Sequence, residues 1–160
     1  MTAQPCLRAI TVRQPWAELI TYARKTVENR SWTCTWRGLL AIHAGKTPEA
    51  DAAEICRYFG LRKPSALTYG AIIAVARLVD VHDNCSGDCS YWAEPEAQFH
   101  WVLADTVDLR QPMNCSGKQR LWTPEADTAT AVLDQLPARL HAAPGIDAST
   151  DPSPLEVIHA

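Results

Sequence analysis

Residues 10–44 read ITVRQPWAELITYARKTVENRSWTCTWRGLLAIHA, and their patterning decides the fold. Leu7–Arg13 leads into this stretch by alternation and carries the β-branched Ile10, Thr11 and Val12, which predicts a first strand. Pro15 suits the first turn of a helix, where a missing N–H has no partner to lose. Trp16, Leu19 and Ile20, with Ala23, recur at helical spacing, so this helix has one apolar face and should end near Tyr22. Thr26–Trp32 is too polar for a central strand and reads as an edge strand or a structured loop. Gly38–Ala44 is a short apolar run, the pattern of a buried strand.

Outward from this stretch, Thr47-Pro48-Glu49-Ala50 predicts a helix start, with Thr47 as N-cap and Pro48 at the first helical position, continuing through Ile55 and Tyr58 to Gly60. Gly70–His82 is a continuous β-branched strand. Asn84–Ser90 is a turn-rich loop, Phe99–Asp108 an alternating strand, and residues 112–123 a loop with a short strand. Asp127–Leu140 places Ala131, Leu133, Leu136 and Leu140 on one helical stripe. The fold class is α+β: a small closed or half-closed β-barrel of about five or six strands with short flanking helices. Residues 1–141 are expected to form a single domain, and 142–160, rich in Pro, Ser, Asp and Ala, a mobile tail.

The chain has 160 residues, 47% hydrophobic and 21% charged, the composition of a globular protein. No apolar run approaches the ~20 residues that cross a bilayer, so no membrane association is expected. The N-terminal residues lack the apolar core of a signal peptide, which points to the cytoplasm. Six cysteines with no CxxC pair then read as reduced thiols. The net charge of −3 argues against a non-specific nucleic-acid binder, but residues 7–46 hold seven basic and two acidic side chains. An anionic partner should therefore meet the N-terminal quarter.

Gln14-Pro15-Trp16-Ala17, Lys25 with Glu28, Arg30, Ser31 and Trp32, then Arg37-Gly38 and His43-Ala44 resemble the ASCH domain, a branch of the PUA-like superfamily. Gly70 and the Gly117–Trp122 segment extend the resemblance to roughly residues 7–123. It implies a PUA-like barrel with a cleft lined by a Lys-x-x-Glu/Thr-x-Arg segment. Superfamily members commonly bind RNA. One bacterial branch consists of amidohydrolases that deacetylate N4-acetylcytidine, using a Lys, a Thr three residues later and a Glu from a later strand; another branch is ribonuclease-like. Lys25 matches the hydrolase lysine, but Glu28 stands where the threonine would be, and Thr26 is out of register. The chain thus looks closer to the transcription-coactivator-type branch.

The expected function is a nucleic-acid-binding module, RNA favoured and DNA possible, or one that takes a modified nucleotide; no cofactor is expected. Its site residues are Arg13, Lys25, Glu28, Arg30, Trp32, Arg37, His43, Lys46, Lys118 and Arg120. Arg30 can hold a phosphate or base edge by its fork of donors, and Glu28 can accept from an exocyclic amine. Trp16 reads as core and Trp32 as a cleft wall. The alternative is an amidohydrolase acting on an acylated nucleoside such as N4-acetylcytidine, or a nuclease, with Lys25 and Glu28 as the catalytic pair. His82, Cys85 and Cys89, with His100 or Cys115 as a fourth, have a loose zinc spacing, and free thiols are the default reading, with no metal assigned.

Overall fold

A computed structural model describes residues 5–142; the tail expected over 142–160 falls almost wholly outside them. The elements in chain order are β1 (Leu7–Val12), α1 (Trp16–Tyr22), β2 (Val27–Arg30), β3 (Gly38–Ala44), α2 (Ala52–Phe59), β4 (Ala71–His82), β5 (Phe99–Asn114), α3 (Ala126–Leu133) and α4 (Ala138–His141), with a 3-10 turn at Pro64–Ala66. The five strands form one sheet in the order β1-β3-β4-β5-β2. Only β1 and β3 run parallel, and the crossover that this requires is supplied by α1 and β2.

The central strands are the most apolar ones, because the sheet is covered on both faces. One face, with Ile10, Leu40, Ile42, Leu78 and Trp101, packs against Ala17 and Ile20 of α1. The other, with Ala9, Leu39, Ile72 and Val75, takes Val132, Leu133 and Leu140 of the C-terminal helices and Leu136 of the turn between them. The long pair β4–β5 shifts register at three places. Each irregularity adds bend and right-handed twist, so the sheet curls into a half-barrel.

The curl leaves β1 and β2 as the two sheet edges facing one another. Trp122 covers the outer edge of β1, exchanging both backbone hydrogen bonds with Ala9 at 2.7 and 3.0 Å. Across the seam, Arg30 Nη2 of β2 donates to the Thr11 carbonyl of β1 at 2.9 Å. Gln14 is wholly buried where β1 turns into α1: its amide donates to Thr68 O, and its Oε1 accepts from Glu18 N. The Gln14-Pro15-Trp16-Ala17 element is in this respect a structural joint.

Three expected elements differ. The helix expected from Thr47 starts at Ala52, because the Glu49 amide is taken by the Gln14 carbonyl rather than by a first helical turn. β5 runs on to Asn114, absorbing part of the expected 112–123 segment, which contributes only the Trp122 bridge. The Asp127–Leu140 stripe is two helices, since Pro137 cannot continue α3 and instead caps α4.

Candidate functional site

The seam between β1 and β2 opens into a cleft of about 920 Å³. Its floor comes from the β2 segment and its far wall from the strap 116–120 that follows β5. Arg13, Gly45, Lys46 and Glu49 form the near rim, and Glu94 comes from the β4–β5 connection. Six basic and three acidic side chains line it, so a chain of net charge −3 concentrates positive charge here.

Glu28 is the hub of the floor. Its Oε2 accepts from Lys25 Nζ at 2.7 Å and its Oε1 faces Arg30 Nη2 at 3.1 Å. Lys25 is 3% exposed and Glu28 is 7% exposed, which leaves water little part in solvating either charge. Burial alone would raise the Glu28 carboxyl, but the charges and hydrogen bonds of Lys25 and Arg30 outweigh it and hold the group below the ordinary carboxylate range. Glu28 is therefore ionised near neutral pH, the wrong state for a proton donor. Lys25 also donates to Val27 O and lies 5.9 Å from the Trp16 ring centroid, so Trp16 is half core and half cleft wall. Arg30 Nε is buried and has no hydrogen-bond partner among the described residues.

Trp32 forms a wall as expected, edge-on to Trp101 at 4.6 Å, with the Arg120 guanidinium 5.8 Å from its ring centroid. His43 lies beneath the strap. Its Nε2 donates to Cys115 O at 2.9 Å, leaving Nδ1 as a buried acceptor with no partner among the described residues. Burial lowers the His43 pKa, the Lys46 charge adds to this, and the Cys115 hydrogen bond opposes it; the net shift is downward. The strap can approach this closely only at a glycine, since a Cβ on Gly117 would sit 2.6 Å from both His43 Cε1 and Thr11 Oγ1.

Of the ten residues expected at the site, nine line the cleft: Arg13, Lys25, Glu28, Arg30, Trp32, His43, Lys46, Lys118 and Arg120. Arg37 does not. Its guanidinium donates to the carbonyls of Cys34 and Trp36 and lies 3.7 Å from Asp80, because the turn into β3 carries it away from the seam. Thr26, the hydroxyl beside Lys25, also points elsewhere, to Ser90 at 3.2 Å. Asn29 and Glu94 had no signal in the sequence. Asn29 holds the β4–β5 connection by its amide, donating to Trp92 O and accepting from Glu94 N. That connection also brings His82, Cys85 and Cys89 together with His100, their ligand-type atoms all within 4.8 Å of one another.

Residues 10–113 match the family model of the ASCH domain. Among solved structures, the chain is similar to the ASCH protein of Zymomonas mobilis, with 15% identity and a TM-score of 0.52 over 80% of this chain and 94% of that one. A point mutant of the same protein gives 13% identity and a TM-score of 0.53, over 80% and 96%. No curated protein sequence matches. No described helix is long and apolar enough to cross a membrane.

Proposed function

The chain belongs to the ASCH domain family, whose PUA-like fold is often linked to RNA binding, and on that premise we propose that it is a nucleic-acid-binding module with RNA as the favoured ligand. The observation that carries the reading is the cleft itself: six cations and the faces of Trp16 and Trp32 gathered around one concavity in an otherwise acidic chain. Single-stranded nucleic acid needs this combination, cations for phosphates and flat faces for unstacked bases. A volume of about 920 Å³ suits a base with its sugar and phosphate rather than a duplex. Arg30 presents a guanidinium held in place by Glu28 and by the Thr11 carbonyl, so little is left to order when a ligand arrives. In this reading Glu28 positions Arg30, because each of its oxygens already faces a cation.

Binding is favoured over amide hydrolysis for a chemical reason. The position of the hydrolase threonine holds a clamped carboxylate, and the neighbouring Thr26 hydroxyl bonds to Ser90 outside the cleft. The test is a fluorescence-anisotropy titration with short labelled RNA and DNA, single- and double-stranded, at two salt concentrations. Wild type, Arg30→Ala and Lys118→Ala are run in parallel. Single-stranded binding that weakens with salt and with both substitutions supports the module. If all four ligands fail to bind, the reading is overturned, and turnover of N4-acetylcytidine lost in Lys25→Ala would put the amidohydrolase in its place.

A further inference from the structure

Outside the cleft, the end of the β4–β5 pair gathers four soft donors. His82 closes β4 and His100 lies opposite it in the antiparallel register of β5. The connection between them returns Cys85 and Cys89 to the same spot through a tight turn, in which Asp88 N donates to Cys85 O at 2.9 Å. Gly87 takes a φ of +86°, and a Cβ there would meet Pro95 Cγ at 3.0 Å and Ala93 O at 3.2 Å. The sequence spacing alone favours free thiols, being looser than a CxxC pair, and leaves the fourth donor open between His100 and Cys115; strand pairing makes His100 the neighbour.

We propose that His82, Cys85, Cys89 and His100 form a structural site for a tetrahedral, thiophilic divalent cation, Zn²⁺, that clamps the β4–β5 connection. All four donor atoms lie within 4.8 Å of one another. Zinc–sulfur and zinc–nitrogen bonds of about 2.3 and about 2.0 Å place tetrahedral ligands about 3.3–3.8 Å apart, so the wider pairs need to close in and the two Cys85–imidazole contacts to open by a few tenths of an ångström. Two thiolates and two imidazoles are the donor set that selects this ion.

The outer contacts of the two histidines point to the same conclusion. His82 Nδ1 pairs with Asp80 Oδ2 at 2.7 Å, and His100 Nε2 with the Glu94 carbonyl at 2.8 Å. A ring nitrogen facing an acceptor carries the proton, so in each neutral imidazole the other nitrogen is a lone pair. Those two lone pairs, His82 Nε2 and His100 Nδ1, converge on the Cys85 sulfur at 3.2 and 3.0 Å. One thiol has one proton and cannot satisfy both. A cation among them satisfies both, and Asp80 and Glu94 then act as the outer partners that fix ligand histidines in metal centres. On binding, each cysteine releases its thiol proton to solvent.

The site would also reach the cleft. Glu94, whose carbonyl holds His100, lines the cleft and donates its backbone N–H to Asn29 of β2, so the ion would pin one wall of it.

The experiment uses the full chain purified with zinc sulfate, dialysed, and assayed for bound metal. A second sample is loaded with Co²⁺ to read coordination from its absorption. About one zinc per chain, with intense tetrahedral d–d bands and thiolate-to-cobalt charge transfer, is expected. Cys89→Ser, at an exposed position, and His82→Gln should lose the metal and the charge-transfer intensity, whereas Cys115→Ser should keep both. A folded wild type that retains no zinc, or gives a weak octahedral cobalt spectrum, overturns the proposal and leaves a thiol–imidazole cluster without metal. Loss in Cys115→Ser equal to that in Cys89→Ser overturns the ligand set. If the substituted chains fail to fold, the wild-type stoichiometry and cobalt spectrum still decide.

Discussion

Lys25 and Glu28 form an ion pair of 2.7 Å in which both partners are almost wholly withdrawn from water, and the pair stands in the floor of the cleft rather than in the apolar core. Arg30 leans on the opposite oxygen of Glu28. The three side chains are therefore one unit, with a single anion between two cations.

That unit predicts an asymmetry. Removing one member of a buried pair costs about 3–5 kcal/mol, chiefly because the other charge is left uncompensated. Lys25→Met leaves Glu28 with Arg30 and should fall at the lower end. Glu28→Gln leaves two adjacent cations with no anion and should cost more. Urea denaturation of the two variants gives the ranking; the reverse order would mean that Glu28 is not the hub. The pH dependence follows from the direction of the Glu28 shift. With the folded value below the unfolded one, its contribution is complete above the ordinary glutamate range and is lost as pH falls through the folded value. Wild type should therefore lose more stability on acidification than Glu28→Gln.

The strap can be moved by one methyl group. In Gly117→Ala, the new Cβ would lie 2.6 Å from Thr11 Oγ1, on a strand that cannot yield, so the strap must lift and carry Lys118 and Arg120 with it. Overpacking of this kind costs about 1–3 kcal/mol. Binding of single-stranded RNA should weaken roughly tenfold, about 1.4 kcal/mol. Unchanged affinity in a folded Gly117→Ala would remove the strap from the interface.

The rim cations make a prediction about salt. Lys46, Lys118 and Arg120 are exposed and line the cleft, whereas Arg37 is held by carbonyls away from it. If each of the three meets a phosphate, log affinity should fall against log salt with a slope of about −2, and each alanine substitution should make it shallower by about 0.7. Arg37→Ala should leave both affinity and slope unchanged. A slope that changes with Arg37 and not with Lys118 would place the polymer on a different face.

These residues also show where a linear reading succeeds and where it stops. Gly38–Ala44 and the strand after Gly70 are legible because a strand buried on both faces must be apolar throughout, and nothing distant alters that. Arg37 is misplaced because a local excess of charge says nothing about which side of a turn a side chain takes. The end of β5 is illegible because Arg110, Gln111 and Pro112 are exposed and bulge out of the ladder, and only beyond them do Met113 and Asn114 resume pairing with Ile72 and Ala71. Asn29 and Glu94 were invisible for a similar reason: each matters through a backbone contact with a segment more than sixty residues away. His100 and Cys115 stand as alternatives for a fourth donor in the sequence, and only the strand register, which sets His100 beside His82, separates them.

His43 supplies the last prediction, because its two nitrogens have opposite fates. Nε2 is committed to the Cys115 carbonyl, so the neutral ring must carry its proton there, and Nδ1 is left as a lone pair under Gly117. Protonating Nδ1 would place a buried charge beside Lys46, which is why burial and that charge both lower the pKa. The sign for stability follows. An unfolded histidine takes up a proton near its ordinary value of about 6.5, while the folded one does so only at lower pH. Folding then loses stability as pH falls through this window, and the loss ends at the folded value. His43→Gln cannot titrate, so the difference in urea midpoint between wild type and variant should narrow from pH 7.5 to pH 5.5. An imidazole-nitrogen NMR titration should find the Nε2–H tautomer and a pKa below the ordinary value. A pKa above it would require an anion beside Nδ1, and would mean that the strap does not seat as described.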